Sequence, residues 1–158
     1  MLQVRPLRND DRDWAVRLIE EHWVSAKIVS RGRVHHASDL PGLVATQDDK
    51  PVGLVTYRMD VDECEIITMN ALEEGAGIGS ALLEAVKSKA AHAGCKRLWL
   101  VTTNDNLTAL RFYQEKGLRI VAVHRNAVEE SRRIKPEIPI IGMNGIPIRD
   151  EIELELLL

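Results

Sequence analysis

Short runs of alternating polar and apolar residues in the first half of the chain predict strands. Residues 2–6 alternate in this way and indicate a first strand. Two further runs, 43–46 and 52–57, are joined by a short polar segment, and another strand is expected over 65–72, after a turn at 60–62. Because such short connections join antiparallel neighbours, the last three strands should form a meander.

Helical spacing of apolar residues appears between the first two predicted strands. Ala15, Ile19 and Trp23 fall on one face of a helix. Asp10 or Asp11, just before this face, can accept the free amide hydrogens of the first turn. The segment that follows, 25–40, has no regular period, and we expect it to be irregular.

The second half of the chain alternates helix and strand. Helical periodicity over 79–93 ends at Gly94, which can adopt a left-handed conformation, and a strand is predicted over 97–102. With the strand at 65–72, these elements form a β-α-β unit whose two strands should lie parallel. A second helix is predicted over 106–116.

The last third of the chain predicts two strands around a short helix. The strand covers 118–124, and Asn126 and Glu129 have the spacing of a capping box at the start of the helix. Segment 136–148 is rich in Pro, Gly and Ile and is expected to be a loop. Glutamates alternate with apolar residues over 151–156, which predicts a last strand with one solvated face.

Composition narrows the class of protein. The 158 residues are 45% hydrophobic and 28% charged, as in ordinary globular proteins and unlike disordered chains. Apolar runs are too short for a membrane-spanning helix, no apolar signal stretch begins the chain, and Cys64 and Cys95 lack metal-type spacing, so we expect a cytoplasmic protein. We predict one α/β domain over 1–158, with a mixed, mostly antiparallel sheet flanked by helices.

Charge is distributed unevenly along the chain. The net charge of −3 gives no general attraction to nucleic acid. The segment 22–38 contains Lys27, Arg31, Arg33 and three histidines but no acid, whereas 60–74 contains six acids and no base. The two segments could face one site or form two solvated surfaces of opposite sign, and the sequence leaves both interpretations open.

A glycine-rich segment, EEGAGIGS at 73–80, separates a predicted strand from a predicted helix. Its three glycines allow a tight turn and bring amide hydrogens close to a ligand, and the helix start adds its positive dipole end. The segment therefore predicts an anion site, most plausibly for a phosphate ester, although a structural turn would use the same residues. It is not a P-loop, and Ser80 replaces the third glycine of a dinucleotide-binding fingerprint.

A second motif begins the helix predicted over 106–116. It has the form Asn-x-x-Ala-x-x-Phe-Tyr-x-x-x-Gly, and its residues are Asn106, Ala109, Phe112, Tyr113 and Gly117. Taken singly, the asparagine could only cap the helix and the two aromatic residues could only fill the core. The joint spacing of the two motifs favours a function.

Together the two motifs resemble those of the GCN5-related N-acetyltransferases. The cofactor loop of that family reads Arg/Gln-x-x-Gly-x-Gly/Ala, which Gly77 and Gly79 match. The order of predicted elements also matches along essentially the whole chain, with 126–148 as an insertion before the last strand. One residue departs from the pattern, since Glu74 stands where Arg or Gln is usual and places a negative charge near the expected pyrophosphate site.

The resemblance implies acetyl-coenzyme A (acetyl-CoA) as the cofactor and direct transfer of its acetyl group to the amine of a small-molecule or peptide acceptor. Main-chain groups of the strand would bind the pantetheine arm, and amides of the glycine segment would bind the pyrophosphate. Tyr113 would protonate the departing thiolate. The cofactor-binding residues implied in this way are Met69, Ala71, Gly75, Ala76, Gly77, Ile78, Gly79, Ser80 and Asn106.

Glu65 is the first candidate for the general base, because a carboxylate beside the thioester could accept the amine proton through water. Glu63 lies two residues earlier on the same strand face, and the alternative is that both are exposed strand acids. Cys64 is expected to be a buried structural thiol. The histidines form no ligand cluster, with adjacent His35 and His36 expected to point apart, and no metal is expected.

The charge pattern bears on the acceptor. The acidic segment favours a cationic amine, and Arg31 and Arg33 favour an acceptor that also carries a carboxylate or phosphate, which suggests an amino-acid-like or polyamine-like small molecule. No nucleic acid or membrane partner is expected, and the sequence leaves a homodimer open. The alternatives to an enzyme are a catalytically silent acyl-CoA sensor and an interaction domain with the same fold.

Overall fold

A computed structural model of the protein describes residues 1–23, 25 and 27–158. Its helices are α1 (Arg12–Trp23), α2 (Ile78–His92), α3 (Leu107–Glu115) and α4 (Ala127–Ile134). Its strands are β1 (Leu2–Pro6), β2 (Lys27–Ser30), β3 (Arg33–His36), β4 (Gly42–Gln47), β5 (Lys50–Asp60), β6 (Glu63–Ala71), β7 (Arg97–Thr103), β8 (Arg119–His124) and β9 (Glu151–Leu157).

Seven of the strands form one mixed sheet, and β2 and β3 form a separate hairpin. The sheet order is β1-β4-β5-β6-β7-β9-β8, and among these pairs only β6 and β7 run parallel. The predicted α/β class, the meander of β4, β5 and β6, and the β-α-β unit are confirmed. The β4–β5 connection turns at Asp48 and Asp49, whose φ angles of 51° and 66° suit a two-residue hairpin.

The prediction that segment 25–40 is irregular is wrong for most of its described residues. Residues 27–36 form the β2–β3 hairpin, whose turn residues Arg31 and Gly32 both have positive φ angles, 50° and 73°. Ala26 lies outside the described residues. The strands are only four residues long, which is too short for alternation to distinguish them from a loop.

Two predicted helix caps differ from the structure. The Asp11 carboxylate accepts the backbone N–H of Arg8, at 2.8 Å, and the guanidinium of Arg5, instead of amides in the first turn of α1. The predicted capping box at Asn126 is also absent, because this residue is left-handed and its side chain makes no cap hydrogen bond. Its backbone N–H donates to Asp150 instead, so a long-range carboxylate sets the start of α4.

Two apolar clusters lie on opposite faces of the sheet. Helix α2 packs one face through Leu82 and Val86, while α1 and the β2–β3 hairpin cover the other through Ile19 and Ile28. Cys64 belongs to the first cluster and has no exposed surface, and burial raises the pKa of its thiol to about 12. The expectation of a buried structural thiol is therefore confirmed.

The prediction that one face of β9 is solvated is wrong. Glu151 is almost fully buried, and Glu153 and Glu155 are largely buried against Arg97, which bonds both of them. The Arg97 guanidinium also lies 4.9 Å from the centre of the Trp99 ring. Arg97 of β7, His124 of β8 and Arg31 of the hairpin tip lie over these glutamates and supply the partners that buried carboxylates need.

Within the described ranges, no helix is both long and apolar enough to cross a membrane.

Candidate functional site

Strands β6 and β7 pair over only part of their length. Their parallel register runs from Glu63 opposite Arg97 to Ile66 opposite Leu100. Beyond that point, residues 68–71 remain paired with β5 on one side. Their other edge has no strand partner in the described structure, so its backbone groups can receive an extended ligand that carries amide groups, as an added strand would be received.

A β-bulge lies where the two strands separate. Thr56 of β5 pairs with Thr68 and Tyr57 pairs with Ile66, which leaves Ile67 as the extra residue. The bulge changes the alternation of side chains: Ile67 packs in the cluster with α1, whereas Met69 packs against the cluster with α2. Met69 is one of the predicted cofactor-binding residues, and Ala71 ends the same unpaired stretch.

The glycine segment forms the turn between β6 and α2. Gly75 and Gly77 have left-handed φ angles of 76° and 77°, and a Cβ at either would meet no atom within 4 Å. The first hydrogen bond of α2 runs from Ala81 to Gly77, so the amides of 78–80 have no intrahelical partner. The segment therefore presents an open surface of free amides at a positive helix end.

The individual residues of this segment differ in exposure. Gly75, Ala76 and Gly77 are exposed, Gly79 and Ser80 are partly buried, and Ile78 lies in the core. Glu74, which departs from the family pattern, is exposed on the same turn. The predicted phosphate-binding amides are thus accessible at the turn, while the Ile78 side chain anchors it to the sheet.

Gly79 has a packing role that the sequence did not indicate. A Cβ at this residue would lie 3.3 Å from the ring of Phe112, so glycine allows α3 to approach α2 closely. The Phe112 ring meets the Tyr113 ring in an edge-to-face arrangement, with centroids 5.2 Å apart. The two sequence motifs are therefore in direct contact in the fold.

The Tyr113 hydroxyl points to the unpaired stretch of β6. The residue is 8% exposed, and its hydroxyl donates to the sulfur of Met69 at 3.7 Å. Burial raises the pKa of Tyr113 above its ordinary value, so the phenol keeps its proton near neutral pH. Because a thioether is a weak acceptor, this proton remains available to a better partner.

Asn106 caps helix α3. Its side-chain oxygen accepts the backbone N–H of Ala109 at 3.1 Å, as in an ordinary N-cap. The structural interpretation of this residue is therefore correct, and its contact with a cofactor stays a prediction.

Glu65 lies one residue before the point at which β6 and β7 separate. It is 4% exposed, and Ser30 donates a hydrogen bond to its carboxylate at 3.2 Å. Burial raises the pKa of Glu65 to about 7, while the Ser30 hydrogen bond opposes that rise. The alternative that Glu65 is an exposed strand acid is therefore wrong, whereas Glu63 is partly exposed and pairs with Arg97.

The basic and acidic segments of the sequence face each other. The tip of the β2–β3 hairpin places Ser30 on Glu65, Arg31 on Glu151 at 2.9 Å, and Arg33 on Asp60 at 3.3 Å. Both guanidinium groups are thus engaged by carboxylates of the protein. The hairpin covers the face of the sheet opposite Tyr113, since Ile28 packs with α1 and Tyr113 packs with α2.

Sequence reasoning missed the polar residues that the hairpin contributes. Ser30 was not singled out, and His35, confirmed to point away from its exposed neighbour His36, is 5% exposed. Asn70 was also missed, although its side-chain oxygen is buried without a hydrogen-bond partner among the described residues. One signal could have indicated the hairpin: the two short runs Lys-Ile-Val-Ser and Arg-Val-His-His are separated by Arg31-Gly32, and a two-residue connection that contains glycine is typical of a hairpin turn.

Groups of three or more His, Cys, Asp or Glu side chains that could hold a metal ion do not occur among residues 1–23, 25 and 27–158.

Comparison with known sequences gives both a family and a relative. Residues 4–118 match the profile of the Acetyltransferase (GNAT) family. The chain is also 44% identical over 133 residues to the uncharacterized Bacillus subtilis protein YdhI. The aligned region covers 84% of this chain and 83% of that protein.

Comparison with solved structures gives the same fold. An IAA acetyltransferase from Bacillus cereus superposes with a TM-score of 0.76 at 22% identity, over the full length of both chains. A GNAT family acetyltransferase from Elizabethkingia anophelis, solved with acetyl-CoA bound, superposes with a TM-score of 0.71 at 22% identity, over 99% of this chain and 98% of the other.

Proposed function

The chain belongs to the GNAT family of acetyltransferases, and we propose that it transfers the acetyl group of acetyl-CoA directly to an amine of a small-molecule or peptide acceptor. One observation carries the proposal: the unpaired edge of 67–71 leads into the open glycine turn, and the Tyr113 hydroxyl lies beside that edge. A backbone edge, an anion-binding turn and a proton donor thus follow one another in space.

The described residues suit acetyl-CoA in their chemistry. The pantetheine arm carries amide groups, which suit the free backbone edge from Met69 to Ala71. The pyrophosphate suits the amides of 75–80, where glycine leaves open space and the end of α2 is positive. An acetyl-CoA-bound protein with the same fold supports this choice of cofactor.

Acetyl-CoA supplies an activated acetyl thioester, and the chain supplies proton transfer around it. Tyr113 holds a proton on a buried, neutral phenol next to the free edge of β6. Its hydroxyl can donate that proton, or a hydrogen bond, to the sulfur on which negative charge develops. The residue therefore acts as the general acid in this proposal.

Glu65 acts as the general base in this proposal. Its carboxylate lies at the point where β6 and β7 separate, on the face opposite Tyr113. A buried carboxyl group with a pKa of about 7 can accept a proton from an ammonium ion near neutral pH, directly or through one water. Acid and base on opposite faces of the gap allow the acceptor and the cofactor to approach from different sides.

The proposal is tested by release of free coenzyme A. Purified protein and acetyl-CoA are incubated with a panel of amines that includes putrescine, lysine, other α-amino acids and a peptide with a free N-terminus, and a thiol reagent follows the reaction. Acetyl transfer to at least one amine is expected, with the acetylated product identified by mass. Binding of acetyl-CoA without turnover of any amine would favour an acyl-CoA sensor, and no binding at all would favour an interaction domain.

A further inference from the structure

The imidazole of His35 is buried without a partner for one of its nitrogens. The residue is 5% exposed, and its Nε2 atom makes no hydrogen bond within the described structure. A polar atom buried in this way destabilises a fold unless a ligand or water satisfies it, and buried polar atoms are usually bonded. The Nε2 atom of His35 is therefore free to bond a group that enters this layer.

The hairpin register places His35 on the same face of the hairpin as Ser30, which bonds the candidate base. His35 of β3 stands opposite Ile28 of β2. Ser30 lies two residues after Ile28 on β2. Ile28 and Ser30 therefore project from one face of the hairpin, the face that packs on the sheet, and His35 projects with them. Diagonal neighbours of this kind are within reach of an aromatic side chain, and Ser30 already bonds Glu65.

The charged groups around His35 are few. Arg33 and His36 disfavour a second positive charge, Asp60 favours it, and Arg33 is itself paired with Asp60. Burial is the largest influence and lowers the pKa of His35, so the ring is neutral near neutral pH. A neutral imidazole has one nitrogen with a free lone pair, which can accept a hydrogen bond or a proton.

We propose that His35 is a further catalytic residue, which binds the ammonium group of the acceptor next to Glu65 and accepts its second proton. This inference rests on the acetyltransferase function proposed above. Glu65 and His35 each accept one N–H of the ammonium ion, so the site takes acceptors that arrive as cations.

The nitrogen of the ammonium ion loses two protons during acetyl transfer, and in this proposal Glu65 and His35 take one each. An ammonium ion first gives one proton to Glu65, and the freed lone pair forms the new nitrogen–carbon bond while the carbon–sulfur bond breaks. The nitrogen is then positive again and gives a second proton to His35, while the sulfur receives a proton from Tyr113. Glu65 and His35 then release their two protons to water, and Tyr113 takes one proton back. The net reaction therefore releases one proton, and the primary ammonium becomes an amide that retains one N–H.

Two variants of His35 and one matched control test the inference, with the amine that the wild type acetylates best. His35→Phe keeps an aromatic ring but removes the nitrogen lone pair. The KM of this variant for the amine should rise roughly ten- to a hundredfold, as expected for a lost hydrogen bond to a charged group. His35→Gln keeps an acceptor oxygen that holds no proton, so kcat should fall at least fivefold with a smaller change in KM. His36→Gln, on the exposed side of the same strand, should stay within twofold.

Binding of acetyl-CoA, measured by its effect on the melting temperature, should be unchanged in all three variants. If His35→Phe folds and keeps both KM and kcat within twofold of the wild type, the inference is wrong. If His35→Phe does not fold, His35→Gln decides, since an unchanged kcat then overturns it. A wild type that acetylates no amine instead refutes the proposed function, and the role of His35 with it, which distinguishes the two failures.

Discussion

The hydroxyl of Tyr113 lies 3.7 Å from the sulfur of Met69, although 44 residues separate the two in the chain. The bulge at Ile67 turns Met69 toward α3, and the close contact of Phe112 with Gly79 brings α3 against α2. The proton donor therefore lies beside a backbone edge that no strand occupies within the described structure.

Tyr113→Phe should slow acetyl transfer by about a hundredfold while the protein stays folded. The ring that packs against Phe112 is kept, and only the hydroxyl is lost. General acid catalysis typically contributes about 10²- to 10⁴-fold, and the lower end is expected because a thiol with an ordinary pKa of about 8.5 leaves partly unaided. Single-turnover acetyl transfer measures the effect. If the rate falls by less than about threefold, with the chemical step still rate-limiting, Tyr113 has only a packing role.

Gly77→Glu should abolish the stabilisation of the protein by acetyl-CoA. In the wild type, cofactor at about a hundred times its Kd should raise the melting temperature by about 5 to 10 °C. The added carboxylate would enter the open surface at the start of α2 and repel the pyrophosphate.

Gly94→Glu is the matched control for that variant. Gly94 is also left-handed, at 85°, and also has open space around its Cβ, but it lies at the other end of α2. Both variants should be destabilised by backbone strain, and only Gly94→Glu should retain the cofactor shift. If acetyl-CoA raises the melting temperature of both variants equally, the glycine turn is not part of the cofactor site.

Glu65→Gln should lower kcat/KM most between about pH 7 and pH 8, where the base is ionised and the acceptor amine is still protonated. The wild-type rate should rise with pH through about 7, and this rise should disappear in the variant. At a pH above that of amine deprotonation, the two proteins should converge because the amine no longer needs a base. Superimposable pH–rate profiles would show that Glu65 is not the base.

The same substitution should change the pH dependence of stability. The pKa of Glu65 is raised by burial from about 4.5 to about 7, so its favourable contribution is fully present below pH 4.5 and is lost as the pH rises through 7. Above pH 8 the buried charge should cost up to about 3 kcal/mol in unfolding free energy. Glu65→Gln should therefore be more stable than the wild type at pH 8.5, relative to pH 4.5.

Urea unfolding at the two pH values measures this difference. Glu63→Gln is the control, because Glu63 lies two residues away on the same strand but is partly exposed and paired with Arg97. Its stability relative to the wild type should differ little between the two pH values. If Glu65→Gln behaves in the same way as Glu63→Gln, the Glu65 carboxyl is not buried as the structure describes.

The local pattern of the sequence was enough to predict most elements and the two motifs. The helix over 79–93 ends at Gly94 as predicted, and the strands β4 to β7 lie where alternation placed them. These features depend on neighbouring residues in the chain: side-chain period, turn chemistry and the left-handed conformation that glycine tolerates. The spacing of Asn106, Phe112 and Tyr113 is also local, so the resemblance to the GNAT family could be seen before the fold.

Tertiary structure alone decided which of the polar residues lie together. Glu65 could be an exposed strand acid on its sequence, and it is buried because the β2–β3 hairpin, itself unpredicted, lies over it. The glutamates of β9 alternate like a solvated face, and they are covered because basic side chains of β7, β8 and the hairpin tip lie over them. Burial and pKa depend on which distant segments cover a side chain, and no local period records that.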